Sequence, residues 1–155
     1  MRGPKLRIWV DADSCPRPVR EIIQRAAGRT GVDAIFVANR DIPGVVPADL
    51  VVVGREEGAA DAHILEHSGL RDLVVTRDIP LAKELVDRGR TVLNDRGEIF
   101  SPENVGERLS IRNFMYHLRK SGLLHSTERT YGQREQQAFA NSFDKELTRL
   151  LRADY

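Results

Sequence analysis

The clearest structural signal in the chain is the segment Leu6-Arg-Ile-Trp-Val-Asp-Ala-Asp-Ser-Cys-Pro16. Residues 6–10 are mostly apolar and predict a buried strand, and Asp11 and Asp13 follow it directly. A helix is then predicted over Pro18–Arg29, because proline suits the first turn of a helix. Acids that directly follow a buried strand are typical of a site at the carboxyl edge of a parallel sheet.

The rest of the chain continues this alternation of strands and helices. Apolar runs predict further strands at 33–38, 50–53, 72–76 and 91–93, and helical patterns fall at 59–67 and 80–87. We therefore expect an α/β fold: a three-layer α/β/α arrangement around a mainly parallel sheet of about five strands. Two C-terminal helices, predicted at 102–120 and 136–152, are expected to pack on this core, so that residues 1–155 form one domain.

Composition excludes several classes of protein. The chain has 155 residues, of which 41% are hydrophobic and 30% charged, as in a globular protein. One cysteine, Cys15, excludes an intrachain disulfide framework and a four-cysteine zinc site. We find no run of about 18 apolar residues and no signal region, so we expect no membrane span and a cytoplasmic location. The net charge of +1 does not by itself indicate a nucleic-acid-binding protein, so any basic surface must be local.

Acidic residues follow three of the predicted strands. Asp11 and Asp13 follow the first strand, Asp78 follows the fourth, and Asp61 lies in the first turns of the helix after the third. If strands one and four are neighbours, these four carboxylates meet at one edge of the sheet and raise each other's pKa. A divalent cation would neutralise them, and oxygen ligands select Mg²⁺ or Mn²⁺. The alternative is that they are ordinary helix caps and turn acids.

Several motifs occur together, in the same order, in a known family. They are Trp9-Val-Asp-Ala-Asp-Ser-Cys-Pro16, Glu57-Gly-Ala-Ala-Asp61, Val75-Thr-Arg-Asp-Ile-Pro-Leu-Ala82, Leu93-Asn-Asp-Arg-Gly-Glu98 and Glu103-Asn-Val-Gly-Glu-Arg-Leu109, followed by Arg112 and Arg119. The chain thus resembles the bacterial YaiI/YqxD family of uncharacterised proteins, which is similar to the PIN-like domains that include metal-dependent nucleases. The resemblance implies a PIN-like sheet with its acidic residues at Asp11, Asp13, Asp61 and Asp78. A Gly-Gly-Pro stretch and an Asp-Arg pair expected after the Arg112 helix are missing from 125–134.

These observations predict a metal-dependent phosphodiesterase, with RNA favoured over DNA as its partner and Mg²⁺ or Mn²⁺ as its cofactor. We expect Ser14, Thr76 and Arg77 to orient water or phosphate. On the helix 102–120, Arg108, Arg112 and Arg119 lie within about 40° of one another, beside an apolar stripe expected to face the sheet. These arginines are predicted to bind phosphates, or alternatively to form ion pairs with the acidic end of the sheet. The stripe consists of Ile111, Phe114, Met115 and Leu118.

Two other functions stay open at this point. The first is a non-catalytic PIN-derived protein that binds nucleic acid or acts as an adaptor. The second is a phosphatase of the haloacid dehalogenase type, in which Asp11 attacks phosphorus, Thr76 and Lys83 assist, and Asp78 binds Mg²⁺. The segment His63-Ile-Leu-Glu-His67 also matches a zinc-peptidase pattern, but exposed helix residues are the favoured interpretation.

Overall fold

A computed structural model describes residues 5–125 and 130–153. In this part of the chain the strands are β1 (Arg7–Asp11), β2 (Asp33–Ala38), β3 (Leu50–Val52), β4 (Leu73–Val75), β5 (Thr91–Leu93) and β6 (Ile99–Phe100). The α-helices are α1 (Arg17–Thr30), α2 (Ala59–His67), α3 (Ile79–Asp87), α4 (Val105–Lys120) and α5 (Gln133–Arg152), with short 3₁₀ turns at Ala12–Ser14 and Pro47–Asp49. Over these ranges, no helix combines the length and the apolar character that crossing a bilayer requires.

The strands form one sheet in the order β3-β2-β1-β4-β5-β6, and every pair is parallel except β5 with β6. In β1, Val10 lies opposite Phe36 of β2 on one side and Val75 of β4 on the other. The expectation that strands one and four are neighbours is therefore confirmed. The direction in which the strands are added reverses between β1 and β4, and such a switch point opens a crevice at the carboxyl ends of the strands.

The two faces of the sheet bury different side chains. Ile8 and Val10 point to one face, where they pack in the same core as Ile23 of α1 and Phe139 of α5. Trp9, between them in sequence, points to the other face and packs in the core formed with α2 and α3. Successive side chains of a strand alternate in this way, so a strand covered on both sides needs apolar residues throughout. The predicted three-layer α/β/α arrangement is confirmed.

Some boundaries differ from the sequence predictions. The strand β6 was not predicted, because Ile99–Phe100 is too short to give a periodic signal. It returns antiparallel to β5 through a turn in which the Asn94 Oδ1 atom accepts hydrogen bonds from the N–H groups of Arg96 and Glu98. The helix predicted from residue 102 begins only at Val105. Just before the helix, the Ser101 N–H donates a hydrogen bond to Asn104 Oδ1 over 2.8 Å.

The predicted orientation of α4 is wrong. Its stripe was expected to face the sheet, but Ile111 is 46% exposed and Phe114 is 62% exposed. Only Val105, in the first turn, enters the core under the sheet. The physical reason is that α2 and α3 already cover this face, so α4 packs on α3 instead of on the strands. The divergent segment 125–134 lies partly outside the described residues.

Candidate functional site

A cleft of about 460 Å³ lies at the carboxyl edge of the sheet, at the switch point between β1 and β4. The structure brings all four sequence-predicted acids to its wall. Asp11 is the last residue of β1, and Asp13 lies in the 3₁₀ turn that follows. Asp61 comes from the first turn of α2, and Asp78 immediately precedes α3. Four separate elements therefore contribute to one acidic surface.

Asp78 is held by the start of α3. Its Oδ1 atom accepts a hydrogen bond from the Leu81 N–H over 2.9 Å, which is the usual contact of a helix N-cap. The Asp78 N–H donates to Thr76 Oγ1 over 3.0 Å. The alternative interpretation of this residue as a helix cap is thus correct for one of its oxygens. Its position on the cleft wall lets the same carboxyl group also contribute charge to the site.

Thr76 links two of the acids, Asp11 and Asp78, through hydrogen bonds. Its side chain is buried, and its hydroxyl donates a hydrogen bond to Asp11 Oδ2 over 2.9 Å. The Thr76 hydroxyl oxygen also accepts a hydrogen bond from the Asp78 N–H. Because a buried hydroxyl with both partners has a fixed orientation, Thr76 positions Asp11 relative to the start of α3.

Burial and neighbouring charges raise the pKa values of two acids in the cleft. Burial raises the pKa of Asp11, and the nearby charges of Asp78 and Asp13 raise it further, against a lowering effect of the Thr76 hydrogen bond. Asp61 is half-buried, and its pKa rises to about 7. Burial is the largest cause, followed by the charges of Asp78 and Asp11, a hydrogen bond with the Asp78 side chain, and the charge of Glu84. The crowding of these carboxyl groups therefore opposes the ionisation of Asp11 and Asp61.

Asp13 is oriented differently from the other three acids. Its Oδ2 atom accepts a hydrogen bond from the Asn39 N–H over 2.9 Å, just beyond the end of β2. Its Oδ1 atom lies 3.6 Å from Arg40 Nε. Asp13 thus links the ends of β1 and β2, and the Arg40 guanidinium offsets part of its negative charge.

The donor set suits a hard cation, because every side chain of the acidic group offers oxygen. Within residues 5–125 and 130–153, however, no three His, Cys, Asp or Glu side chains converge closely enough to form a complete metal cluster. Mg²⁺ commonly binds through one or two carboxylates and completes its coordination with water and substrate phosphate. The adjacent Asp61 and Asp78 carboxyl groups, with Asp11 beside them, fit that mode of binding.

The residues predicted to orient water or phosphate lie beside the cleft. Ser14, Thr76 and Arg77 line a narrow crevice that also contains Cys15 and Asp95. Arg77 Nε donates to Asp95 Oδ2 over 2.7 Å, so this guanidinium neutralises a carboxylate that is only 3% exposed. Burial raises the pKa of the Cys15 thiol to about 12, which makes this cysteine a poor nucleophile.

The three arginines of α4 have different environments. Arg112 lines the cleft, and its guanidinium lies 5.7 Å from the centre of the Tyr116 ring. Arg108 instead forms a two-point ion pair with Glu98, with 2.8 Å between Nε and Oε1. Arg119 is exposed and does not line the cleft. The sequence-predicted basic stripe thus contributes one residue, Arg112, to the acidic site.

Four polar residues that line the cleft were not among the predicted site residues: Asn39, Arg55, Glu56 and Glu57. Asn39 directly follows β2, so the rule that identified Asp11 would have found it as well. Arg55 lies in the loop between β3 and α2, which ends at Gly58 with a φ of +80°. That conformation favours glycine and directs the chain into the helix that carries Asp61.

Residues of the alternative functions lie elsewhere. Lys83, required by the phosphatase scheme, does not line the cleft, and its Nζ atom lies 2.6 Å from Asp87 Oδ2. The rings of His63 and His67 stack with 4.0 Å between centroids, beside Trp9. In the described ranges they gain no third ligand, so the zinc-peptidase pattern forms no cluster.

Comparison with known proteins identifies relatives along nearly the whole chain. Residues 9–149 match the model of the family described as "Uncharacterized BCR, YaiI/YqxD family". A UPF0178 protein of Treponema pallidum (strain Nichols) is 50% identical over 149 residues, covering 95% of this chain and 84% of the relative. A UPF0178 protein of Myxococcus xanthus (strain DK1622) is 48% identical over 151 residues, covering 96% of this chain and 99% of the relative. No solved structure matches the chain. The residues of the acidic cleft thus lie within the matched range, and the chain belongs to the YaiI/YqxD family.

Proposed function

We propose that this protein is a phosphodiesterase that uses Mg²⁺ or Mn²⁺ at the acidic cleft to hydrolyse RNA. One observation carries the proposal: Asp11, Asp61 and Asp78 are crowded at a switch point although burial and mutual repulsion raise the pKa of Asp11 and Asp61. Titratable groups held at such a cost in a cleft are typical of functional sites. A bound cation would remove most of that cost.

Asp61 and Asp78 are the proposed metal-binding pair, and Asp11 is near enough for its charge to raise the pKa of Asp61. When bound, the metal would supply a Lewis acid for the phosphate and a more acidic water molecule. The chain itself contributes orientation. Thr76 holds Asp11 Oδ2, and the first turn of α3 holds Asp78 Oδ1, so neither carboxyl group can turn freely away from the cleft.

The rim of the cleft supports a phosphate-bearing substrate. Arg112 and Arg55 line it together with the acids, so a phosphate bound there meets positive charge as well as a metal. Lys83 is ion-paired outside the cleft, which disfavours the phosphatase alternative. The choice of RNA over DNA rests on the resemblance to PIN-like nucleases, and the test therefore includes both.

The test is a cleavage screen on single- and double-stranded RNA and DNA, with and without Mn²⁺ or Mg²⁺. We expect metal-dependent cleavage of RNA by the parent, reduced by at least about a hundredfold in Asp61→Asn. The matched control is Asp144→Asn, which removes an exposed acid of α5 at 3.4 Å from Arg29. Full activity of Asp61→Asn would contradict the proposal. RNA binding without cleavage under any metal condition would favour the non-catalytic alternative.

Metal binding is tested separately from activity. Mn²⁺ binds only the folded site, so it should raise the melting temperature of the parent and of Asp144→Asn. Mn²⁺ should leave the melting temperatures of Asp61→Asn and Asp78→Asn unchanged. A parent melting curve that does not respond to millimolar Mn²⁺ would count against the metal site itself.

A further inference from the structure

A pair of histidines on α2 lies outside the acidic cleft and has no part in the proposed function. His63 and His67 are four residues apart, so they lie on the same side of the helix, one turn from each other. Their rings stack with 4.0 Å between centroids and an angle of 21° between planes. His63 is half-buried and His67 is exposed, and neither lines the cleft. The two imidazoles are therefore already side by side and reachable from solvent.

A hydrogen bond determines which nitrogen of His67 is free. The Nδ1 atom of His67 lies 2.8 Å from the main-chain oxygen of His63. Because a carbonyl oxygen can only accept, Nδ1 of the neutral ring carries the proton and Nε2 keeps its lone pair. Histidines that bind metals usually donate their second ring N–H to an oxygen in this way, which fixes the orientation of the ring. His67 is thus arranged to bind a metal through Nε2.

Trp9 of β1 supports both rings. Its ring centre lies 6.0 Å from that of His63 and 6.4 Å from that of His67. Trp9 is 3% exposed, and its Nε1 atom donates to Asp72 Oδ2 over 2.8 Å, which holds the indole in place. Arg7 Nη2 donates to the His67 carbonyl oxygen over 3.0 Å and lies 3.3 Å from Asp72 Oδ2. The imidazoles therefore lie on a fixed base, and the cation beside that base is already ion-paired.

We propose that His63 and His67 together bind one divalent transition-metal ion, Zn²⁺ or Ni²⁺, each through one ring nitrogen. Two histidines at this helical spacing can direct a nitrogen each at a common ion. Imidazole suits Zn²⁺, Ni²⁺ and Cu²⁺, whereas Mg²⁺ and Mn²⁺ prefer oxygen ligands. The negative charge of Glu66 acts on His63 and favours a bound cation there.

This site differs from a zinc-peptidase centre, which has three protein ligands. Among the described residues, no third His, Cys, Asp or Glu side chain converges with the pair. Water fills the remaining positions of the ion, so the metal exchanges more easily than in a closed site with four protein ligands. The inference goes beyond the proposed function and does not depend on it, because the histidine pair and the acidic cleft prefer different ions.

The first test measures Zn²⁺ binding to the metal-free full chain by calorimetry, with millimolar Mg²⁺ present to occupy the acidic cleft. We expect a tight phase of about one Zn²⁺ per chain, weakened at least about tenfold in His67→Gln, because a lone imidazole lacks the second, intramolecular bond. His63→Gln should show the same loss. His117→Gln is the matched control, because it removes an exposed histidine of α4. A parent that binds Zn²⁺ no more tightly than His67→Gln would overturn the inference, as would an equal loss in His117→Gln.

The second test locates the ion through Trp9, the single tryptophan of the chain. An open-shell ion such as Ni²⁺ quenches indole emission at short range, whereas closed-shell Zn²⁺ does not. Since the indole lies 6.0 and 6.4 Å from the two imidazoles, bound Ni²⁺ should quench Trp9 emission, and excess Zn²⁺ should restore it. Quenching should disappear in the double variant His63→Gln/His67→Gln and persist in His117→Gln. Equal quenching in the double variant and the parent would overturn the proposed position of the ion.

A third comparison separates this site from the acidic cleft. Asp78→Asn removes a cleft carboxyl group at the start of α3 and should leave the quenching by Ni²⁺ unchanged. Loss of quenching in Asp78→Asn, with quenching retained in the double histidine variant, would place the ion in the cleft and overturn the inference. Loss of RNA cleavage in Asp78→Asn is a separate result, which concerns the proposed function alone.

Discussion

The hydroxyl of Thr76 donates a hydrogen bond to Asp11 Oδ2 over 2.9 Å, across the boundary between β1 and β4. Thr76 also accepts the Asp78 N–H, so one buried side chain orients two acids of the cleft. From its sequence position, Thr76 is predicted to orient water or phosphate. Thr76 is buried beside both acids, and we predict that it acts by positioning them.

Replacing Thr76 by valine keeps the shape of the side chain and removes both contacts. We expect Thr76→Val to lower the free energy of unfolding by about 1–3 kcal/mol, because the Asp78 N–H loses its acceptor. The pKa of Asp11 should rise, since the Thr76 hydrogen bond lowers it. If Asp11 acts as a carboxylate, the activity profile moves to higher pH. Thr76→Ser keeps the hydroxyl and should retain the parental profile; an unshifted Thr76→Val profile would contradict this role.

Asp61 makes stability depend on pH in the metal-free protein. Its folded pKa of about 7 lies above its ordinary value of 3.8. Its stabilising contribution is therefore complete at low pH and is lost as pH rises through about 7. Asp61→Asn should be more stable than the parent by about 1–2 kcal/mol at pH 8, after allowance for solvent screening, and by much less at pH 5.

Urea denaturation in EDTA at pH 5 and pH 8 measures this difference. Asp144→Asn, which changes the charge by the same amount on the surface, serves as the control. A stability difference between Asp61→Asn and parent that is equal at the two pH values would show that Asp61 is not the titrating group.

Arg112 should dominate phosphate contact among the arginines of α4, because it alone of the three lines the cleft. Arg112→Gln is expected to weaken RNA binding and to reduce the slope of log affinity against log salt by about one. The exposed Arg25 of α1 supplies the matched control, and Arg25→Gln should leave both quantities unchanged. Titrations at several salt concentrations measure them. If the slope of log affinity against log salt is the same in Arg112→Gln and the parent, the role of Arg112 is structural.

Asp72 is an acid of the opposite, amino end of the sheet, and its role is structural. It is 2% exposed and accepts hydrogen bonds from Trp9 Nε1 over 2.8 Å and from the N–H groups of Arg7 and Gly69. Asp72→Ala should lower the free energy of unfolding by about 3–5 kcal/mol, because several buried donors lose their acceptor. Asp87→Ala removes an exposed acid and should cost less than about 1 kcal/mol. Chemical denaturation, followed by circular dichroism, measures the free energy of unfolding of both variants. Equal losses in Asp72→Ala and Asp87→Ala would contradict the structural role of Asp72.

The positions of the four acids follow from sequence because they depend on local rules. A strand buried on both faces must be apolar throughout, so Arg7–Asp11 is visible as a run that ends in an acid. Parallel strands present their carboxyl ends at one edge, so acids after different strands are brought together. Asp11, Asp13, Asp61 and Asp78 accordingly line one cleft. Their pairing into a metal site stays a prediction.

The individual contacts depend on tertiary structure, because they are made between elements distant in sequence. Arg108 and Arg112 are four residues apart on one helix, yet one is paired with Glu98 and the other lines the cleft. Periodicity identified Ile111 and Phe114 as a helix stripe, but a helical period does not specify which neighbour covers it. Sequence patterns alone predict five of the six strands that the structure describes, the three layers and the edge at which the acids collect. Packing decided which charges are neutralised and which apolar face stays open, because α2 and α3 cover this face of the sheet and α4 packs on α3.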